Sequence, residues 1–498
     1  MNKLAKLDQR YVWHPFTQMR DWLRAEPIVI VEGRGAVLRD ARGREYLDGN
    51  SSIWTNLHGH QHPKINAAIQ RQLKKIAHSS ALGLANEPAS LLAERLIRAA
   101  AIRPGTRSTR RTSRHASTPP LAKVFFSDDG STALEVALKL AYEFTRRTRG
   151  PKARPRFLSL SGAYHGDTIG AVSLGHIDLF HAAYGGMLFK TDAVMSPYCY
   201  RCPFNRARPE RQDARNYRKC KWECVGQVEK KFSTQSKRGN PYAAFVFEPV
   251  MQGAAGMIAQ PEGWLEQATE IARSHGALLI ADEVMTGFGR MAKKAESGKA
   301  GKRKRTGILV PQIFATAQAG VIPDFLCLAK GMTGGYLPMA ATLTTQRVFD
   351  AFLGKYEEFK TFFHGHSFTG NQLGAAASLA SLDLLQSAGS IRARAELQRN
   401  LERELQSLWD LPAIGDIRQA GLVAGIELVR DWRTREPFPA AARAGIRVCE
   451  AMARRGVLTR PVGNVIVLMP PYCTTKAQLQ QMVMALREAV METHRCAD

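Results

Sequence analysis

Apolar residues along this chain switch between two periods, and the switching predicts a buried sheet wrapped by helices. Runs such as 277-ALLIAD-282, 243-AAFVFE-248 and 325-FLCLAK-330 are of strand length and apolar nearly throughout. Runs of this kind suit strands covered on both faces, as in a parallel sheet. Elsewhere apolar residues recur three and four apart, as at Ala133, Val136, Ala137, Leu140, Ala141 and Phe144, which predicts helices with one buried stripe. Residues 122–147 therefore read as strand, turn and helix, with Gly130 and Ser131 in the turn. Further helices are predicted over 64–79, 88–102, 263–275, 391–409, 440–455 and 474–494, and strands near 156–160, 338–345, 417–429 and 464–471. Residues 28–49 read as two or three short strands with turns at Gly33, Gly35 and Gly43.

Composition narrows this picture. The chain has 498 residues, 45% of them hydrophobic, enough for a large core and, by length, two or three domains. No apolar run reaches the roughly 18 residues that a membrane span needs. The opening stretch MNKLAKLDQRYVWHPFTQM has no apolar run fit for a signal peptide, so a cytoplasmic protein is expected. Eight cysteines in so long a chain do not suggest a secreted disulfide scaffold. Cys199, Cys202, Cys220 and Cys224 have spacings that allow a zinc knuckle. The longer second spacing and the flanking bases favour reduced structural thiols instead, and no metal is expected.

The net charge of +26 raises the question of nucleic acid. Much of the excess lies in 104–120, 201–221 and 293–305, the last with seven bases against Glu296. Such polar runs resemble solvated loops more than a folded basic groove. No nucleic-acid partner is expected, and the stretches near 104–120 and 291–312 are read as surface insertions.

Polar residues at the carboxyl ends of buried strands sit where open α/β sheets bind ligands. One run ends on Asp282 and Glu283, another on Lys330 followed by glycines. An acid and a lysine presented this way suit pyridoxal phosphate (PLP). The lysine condenses with the aldehyde, and the acid keeps the pyridine nitrogen protonated so that the ring withdraws electrons. Singly, each reads as a helix cap or a solvated base. Gly130 and Ser131 open a helix whose free N–H groups and dipole favour a phosphate, although Ser is also a common N-cap. Tyr164, followed by His165, comes after the 156–160 strand and offers a ring to a flat ligand. Trp54, His58 and His60 lie in an aperiodic stretch able to line a pocket. The histidines there lack acids or thiols at ligand spacing, which argues against a metal.

The motifs IADEVMTGFGR, CLAKGMTGG, YHGDT and GSTALE occur together, and through them the chain resembles the class III aminotransferases of PLP fold-type I over nearly its whole length outside the basic stretches. The resemblance implies an α/β protein: a large domain (51–387) with a mostly parallel seven-stranded sheet, plus a small α+β domain built from both termini (1–50 and 388–498). It implies small-molecule substrates, PLP as cofactor and a homodimer with its active site at the interface. Lys330 and Tyr164 are implied as catalytic groups, with Asp282 at the ring nitrogen. Gly130 and Ser131 are implied at the phosphate, with Ser367 supplied by the partner subunit. Trp54, Gly365 and Arg460 are implied at the substrates, Arg460 taking a carboxylate. A closer match, to one biosynthetic branch, is carried by 13-WHPFTQM-19, 48-DGNSSIWTNLHGHQHP-63, 250-VMQGAAGM-257, 364-HGHSFTGN-371 and 459-TRPVGNVIVLMPPY-472. It implies S-adenosylmethionine as amino donor, with lysine the rival, and another ω-amine:keto-acid transaminase of the same fold as the alternative. Phe16, Ile53 and His366 depart from that branch, where Tyr, Trp and Pro are frequent. Ala254 stands where ornithine- and GABA-type relatives carry Glu, which argues against those branches.

Overall fold

The computed structural model describes residues 2–101, 120–291 and 312–495. The two basic stretches read as surface insertions fall almost wholly outside the described residues.

The apolar runs assemble into one seven-stranded sheet. In spatial order its strands are Leu121–Ser127, Ala340–Thr345, Phe325–Leu328, Leu278–Asp282, Ala244–Phe247, Phe157–Leu160 and Asp192–Val194. Ala340–Thr345 runs antiparallel to both neighbours, and the remaining pairs are parallel. The strands in the middle are buried at every residue, which is why their sequences lack alternation. Helix Gly130–Arg149 covers one face with the predicted stripe, and Ala133, Val136, Ala137 and Ala141 are fully buried there. Helices Glu223–Lys237 and Trp264–Ser274 pack against each other on the other side, around Trp264 and Phe232.

The two ends of the chain meet. Strands Ile30–Arg34, Val37–Asp40 and Glu45–Asp48 form a meander whose last strand pairs in parallel with Val457–Leu458. A second small sheet contains Ile414–Ala420, Val423–Asp431, Val465–Leu468 and Pro461–Val462. The 417–429 segment was expected as one strand. It is a hairpin, because Gly421 takes φ +59° and reverses the chain. The helix expected to 79 stops at Leu73. At the expected domain boundary, 387/388, helices Gln372–Gln386 and Ala388–Leu405 abut at Ser387.

A buried ionic cluster joins this small sheet to the Met251–Ala259 hairpin and to the cysteine-bearing segment. Arg418 Nη1 donates to Asp416 (3.0 Å) and Glu427 (2.7 Å), while its Nε donates to the carbonyl of Met257 (2.8 Å). Arg201 Nε donates to Glu427 from the cysteine-bearing segment (2.8 Å). Each charge has a partner, as burial demands. Among the described residues no helix is long and apolar enough to cross a membrane.

Candidate active site

Asp282, Glu248 and Lys330 all stand at or just beyond the carboxyl ends of adjacent parallel strands. The register that pairs Asp282 with Cys327 brings them to one edge of the sheet, where they line a cavity of about 470 Å³. Trp54, Gly130, Ser131, Tyr164 and His165 line it too.

Lys330 is half-buried at the floor, with Nζ 4.6 Å from the Trp54 ring centroid. Burial pushes its ammonium below the ordinary lysine range, while the carboxylates of Asp282 and Glu248 oppose that shift. An amine so placed spends more time neutral than a surface lysine, as a nucleophile or base must. Its own backbone is left-handed, φ +45°.

Asp282 is held from behind. His165 Nδ1 lies 2.8 Å from Asp282 Oδ2, with both side chains buried, and Oδ1 accepts from the Val284 N–H. His165 Nε2 is buried without a partner. Glu248 accepts from the N–H groups of Gly253 (2.8 Å) and Tyr164 (3.4 Å). Burial raises its carboxyl to about 7; His165 opposes the rise and the Asp282 charge adds to it. Neither His165 nor Glu248 was among the residues expected from sequence. Both were adjacent to marked positions: His165 follows Tyr164, and Glu248 ends a strand.

The wall above Lys330 is unusual backbone. Ser51, Ser52, Ile53 and Trp54 all have φ between +47° and +70°, a left-handed turn that costs about 1–2 kcal/mol per non-glycine residue. Local bonds hold it: Ser52 N and Oγ both donate to Asp48 at 2.8 Å, and Ser51 Oγ donates to the carbonyl of Met469 at 2.6 Å. Gly335, at φ +86°, lets the loop after Lys330 approach this turn; a Cβ there would lie 2.9 Å from Asn56 backbone. The Trp54 Nε1 donor is also buried without a partner. His58 and His60 are engaged elsewhere, with Ser381 (3.0 Å) and Asp48 (3.1 Å).

At the far end, helix Gly130–Arg149 points its amino terminus into the cavity. Asp129 caps it by accepting from the Thr132 N–H. The Gly130 and Ser131 amides lie in the first turn, where no intrahelical carbonyl is available. Gly166, φ +121°, packs so closely that a Cβ would strike Ser131 Oγ. Tyr164 OH donates to Asp167 (2.7 Å).

The other expected residues lie apart. Gly365, Ser367 and Arg460 are exposed and outside the cavity lining. Arg460 sits in the turn between Val457–Leu458 and Pro461–Val462, close enough for its charge to act on Cys449. The seven described cysteines are free thiols. Burial pushes Cys199 up to about 12 and Cys224 to about 11. Among the described residues no three His, Cys, Asp or Glu are placed to hold a metal ion.

These residues fit PLP. A depressed lysine, a carboxylate braced by histidine, and a helix terminus behind a glycine cradle match an aldehyde, a pyridine nitrogen and a phosphate in turn. Comparison with known proteins agrees. The family described as aminotransferase class-III matches residues 19–490. An adenosylmethionine-8-amino-7-oxononanoate aminotransferase of Geobacter sulfurreducens is 45% identical, with 98% of this chain and 97% of that protein covered. The crystal structure of the enzyme of the same name from Methanocaldococcus jannaschii superposes with TM-score 0.82, at 37% identity and 98% coverage of each chain. An amine transaminase from an uncultivated Pseudomonas species, solved in its PLP-bound form, superposes with TM-score 0.80, at 32% identity, covering 97% of this chain and 98% of that one.

Proposed function

Because the chain belongs to the class III aminotransferases, we propose that it transfers an amino group from S-adenosylmethionine to 8-amino-7-oxononanoate, forming 7,8-diaminononanoate for biotin synthesis. It is a PLP-dependent aminotransferase. The substrate assignment draws its support from 45% identity to a relative of that name along nearly the whole chain.

When bound, the cofactor supplies an electron sink for charge that develops at the substrate carbon. The chain's residues supply the rest. Lys330 would hold the cofactor aldehyde, and its amine would move a proton to and from the reacting carbon. Its depressed basicity suits both tasks. Asp282 would hold the cofactor ring nitrogen protonated through a charge-assisted bond, and His165, 2.8 Å away, fixes the Asp282 carboxylate. Gly130 and Ser131 would take the phosphate, Tyr164 would offer its ring to the cofactor, and Trp54 walls the substrate space. Arg460 receives a substrate carboxylate.

A second copy of the chain completes this site. Ser367 and Gly365 lie on an exposed turn flanked by Phe363 and Phe368, 71% and 59% exposed, and Tyr356 and Leu82 are more exposed still. Apolar surface of this kind favours a partner, and a homodimer brings Ser367 to the neighbour's phosphate. The reaction belongs in the cytoplasm.

The observation that carries the reading is the Lys330 amine, set between Trp54 and two carboxylates at the cavity floor. Its test is single-turnover absorption spectroscopy of the PLP-loaded protein. S-adenosylmethionine should bleach the cofactor band, and 8-amino-7-oxononanoate should restore it. Bleaching by lysine alone would move the donor assignment to lysine.

A further inference from the structure

We infer that Lys139, His364 and His366 form a charge-compensating chain that masks Asp128 at the phosphate end of the cavity, and that His366 thereby sets the affinity for a phosphorylated cofactor. The inference rests on the reading that Gly130 and Ser131 take the cofactor phosphate.

Two acidic side chains, Asp128 and Asp129, line the cavity immediately before Gly130 and Ser131. A carboxylate is a poor neighbour for a phosphate dianion. Asp129 is occupied as the helix cap. Asp128 Oδ2 faces His366 Nδ1 at 3.0 Å. His366 Nε2 lies 3.3 Å from His364 Nε2, and His364 Nδ1 lies 3.0 Å from Lys139 Nζ. The four groups make a continuous path from an exposed lysine to the cavity wall.

Counting donors gives the path one direction. An ammonium only donates, so His364 Nδ1 accepts from Lys139. A neutral His364 then carries its hydrogen on Nε2 and donates it to His366 Nε2. That leaves the His366 hydrogen on Nδ1, aimed at Asp128. Every contact is satisfied with both rings neutral. A cationic His366 would need His364 Nε2 as acceptor, which would set the His364 N–H against the Lys139 ammonium. Burial and the nearby Lys139 charge hold His364 below the ordinary histidine range, which agrees with a neutral ring. The chain is braced on its sides: Phe125 and Phe362 pack on His364, with ring centroids at 5.9 and 5.4 Å. Glu135, the acid that also faces His364, is engaged by the Gly170 and Ala171 amides. Lys139 thus directs its positive charge toward Asp128, and Oδ2 is turned to the histidines.

The experiment compares PLP with pyridoxal, which lacks the phosphate, as ligands of the apo-protein, by absorbance titration. His366→Leu should weaken PLP on the order of tenfold and leave pyridoxal unchanged. Adding Asp128→Asn should restore PLP affinity, because no charge then needs masking. Unchanged PLP affinity in His366→Leu overturns the inference. So does an equal loss for both ligands, or a loss that persists beside Asp128→Asn, which would trace the effect to the neighbouring Ser367. Ser131→Ala separates the premise. It should weaken PLP and spare pyridoxal, and failure to discriminate between them refutes the phosphate reading itself.

Discussion

The floor and the rim of this site are built on different principles. At the floor, Asp282, Glu248, Lys330 and His165 are brought together by strand register, and the two carboxylates and the histidine are buried. The residues proposed for its rim, Gly365, Ser367 and Arg460, occupy exposed turns outside the cavity lining. A sheet edge fixes side chains within one chain. A turn places them only relative to whatever docks against it. On the proposed reading the floor carries the bond chemistry, and the rim carries recognition that substrate or a second copy would finish.

The sharpest way to break this division is at the floor. Lys330→Ala should keep the cofactor bound noncovalently and lower single-turnover amino transfer by roughly 10³-fold or more, since it removes nucleophile and base together. Turnover within tenfold of wild type would place the chemistry elsewhere. Asp282→Asn keeps the shape but gives the ring nitrogen a neutral partner. It should slow proton removal from the donor by about 10²-fold, equal to some 3 kcal/mol, with a shifted cofactor band as its spectroscopic mark. A rim residue has no such effect on the band.

The same division explains what the sequence revealed. Asp282 and Lys330 were legible because an apolar strand that ends on a charged residue is a local signal, and the helix stripe behind Gly130 is another. His165 was not, because its role depends on a contact 117 positions away in the chain. Glu248 was visible as a strand end, but its protonation follows from burial beside Asp282, which no spacing shows. The left-handed turn at Ser51–Trp54 was illegible for a further reason. It contains no glycine to mark it, and it is held by side-chain bonds to Asp48 and Met469. The hairpin segment holds two glycines, Gly421 and Gly425, and only Gly421 turns the chain, which spacing alone does not single out.

Glu248 allows a test of the floor through stability. Its carboxyl is raised from an ordinary 4.5 to about 7 by burial. Between those values the folded protein keeps a proton that the unfolded chain has lost. Stability from this group is therefore complete below pH 4.5 and declines as pH rises to about 7. A shift of this size corresponds to about 3 kcal/mol at most. Glu248→Gln, always neutral, should remove the slope. Urea denaturation of the apo-protein at pH 5 and pH 8 should show wild type losing more stability than the variant over that interval. Equal losses would mean that Glu248 is solvated rather than enclosed.

Arg460 is the test of the rim and the smallest of these effects. A transaminase must accept two unlike substrates in one cavity. The keto substrate carries its carboxylate far from the reacting carbon, and an α-amino-acid donor carries it adjacent. A long guanidinium on a turn can reach both, pairing in a fork each time. Its exposure fits that task, because a buried arginine such as Arg290, bonded to the carbonyls of Pro470 and Asn56, is already committed. Arg460→Ala should weaken both half-reactions by about 1.5–3 kcal/mol, the loss expected for one charged hydrogen-bonded pair. The cofactor band and the Lys330 linkage should stay as in wild type. A defect confined to one half-reaction would show that the two carboxylates are read by different residues. A change in the cofactor band would place Arg460 with the floor and dissolve the distinction between the two regions.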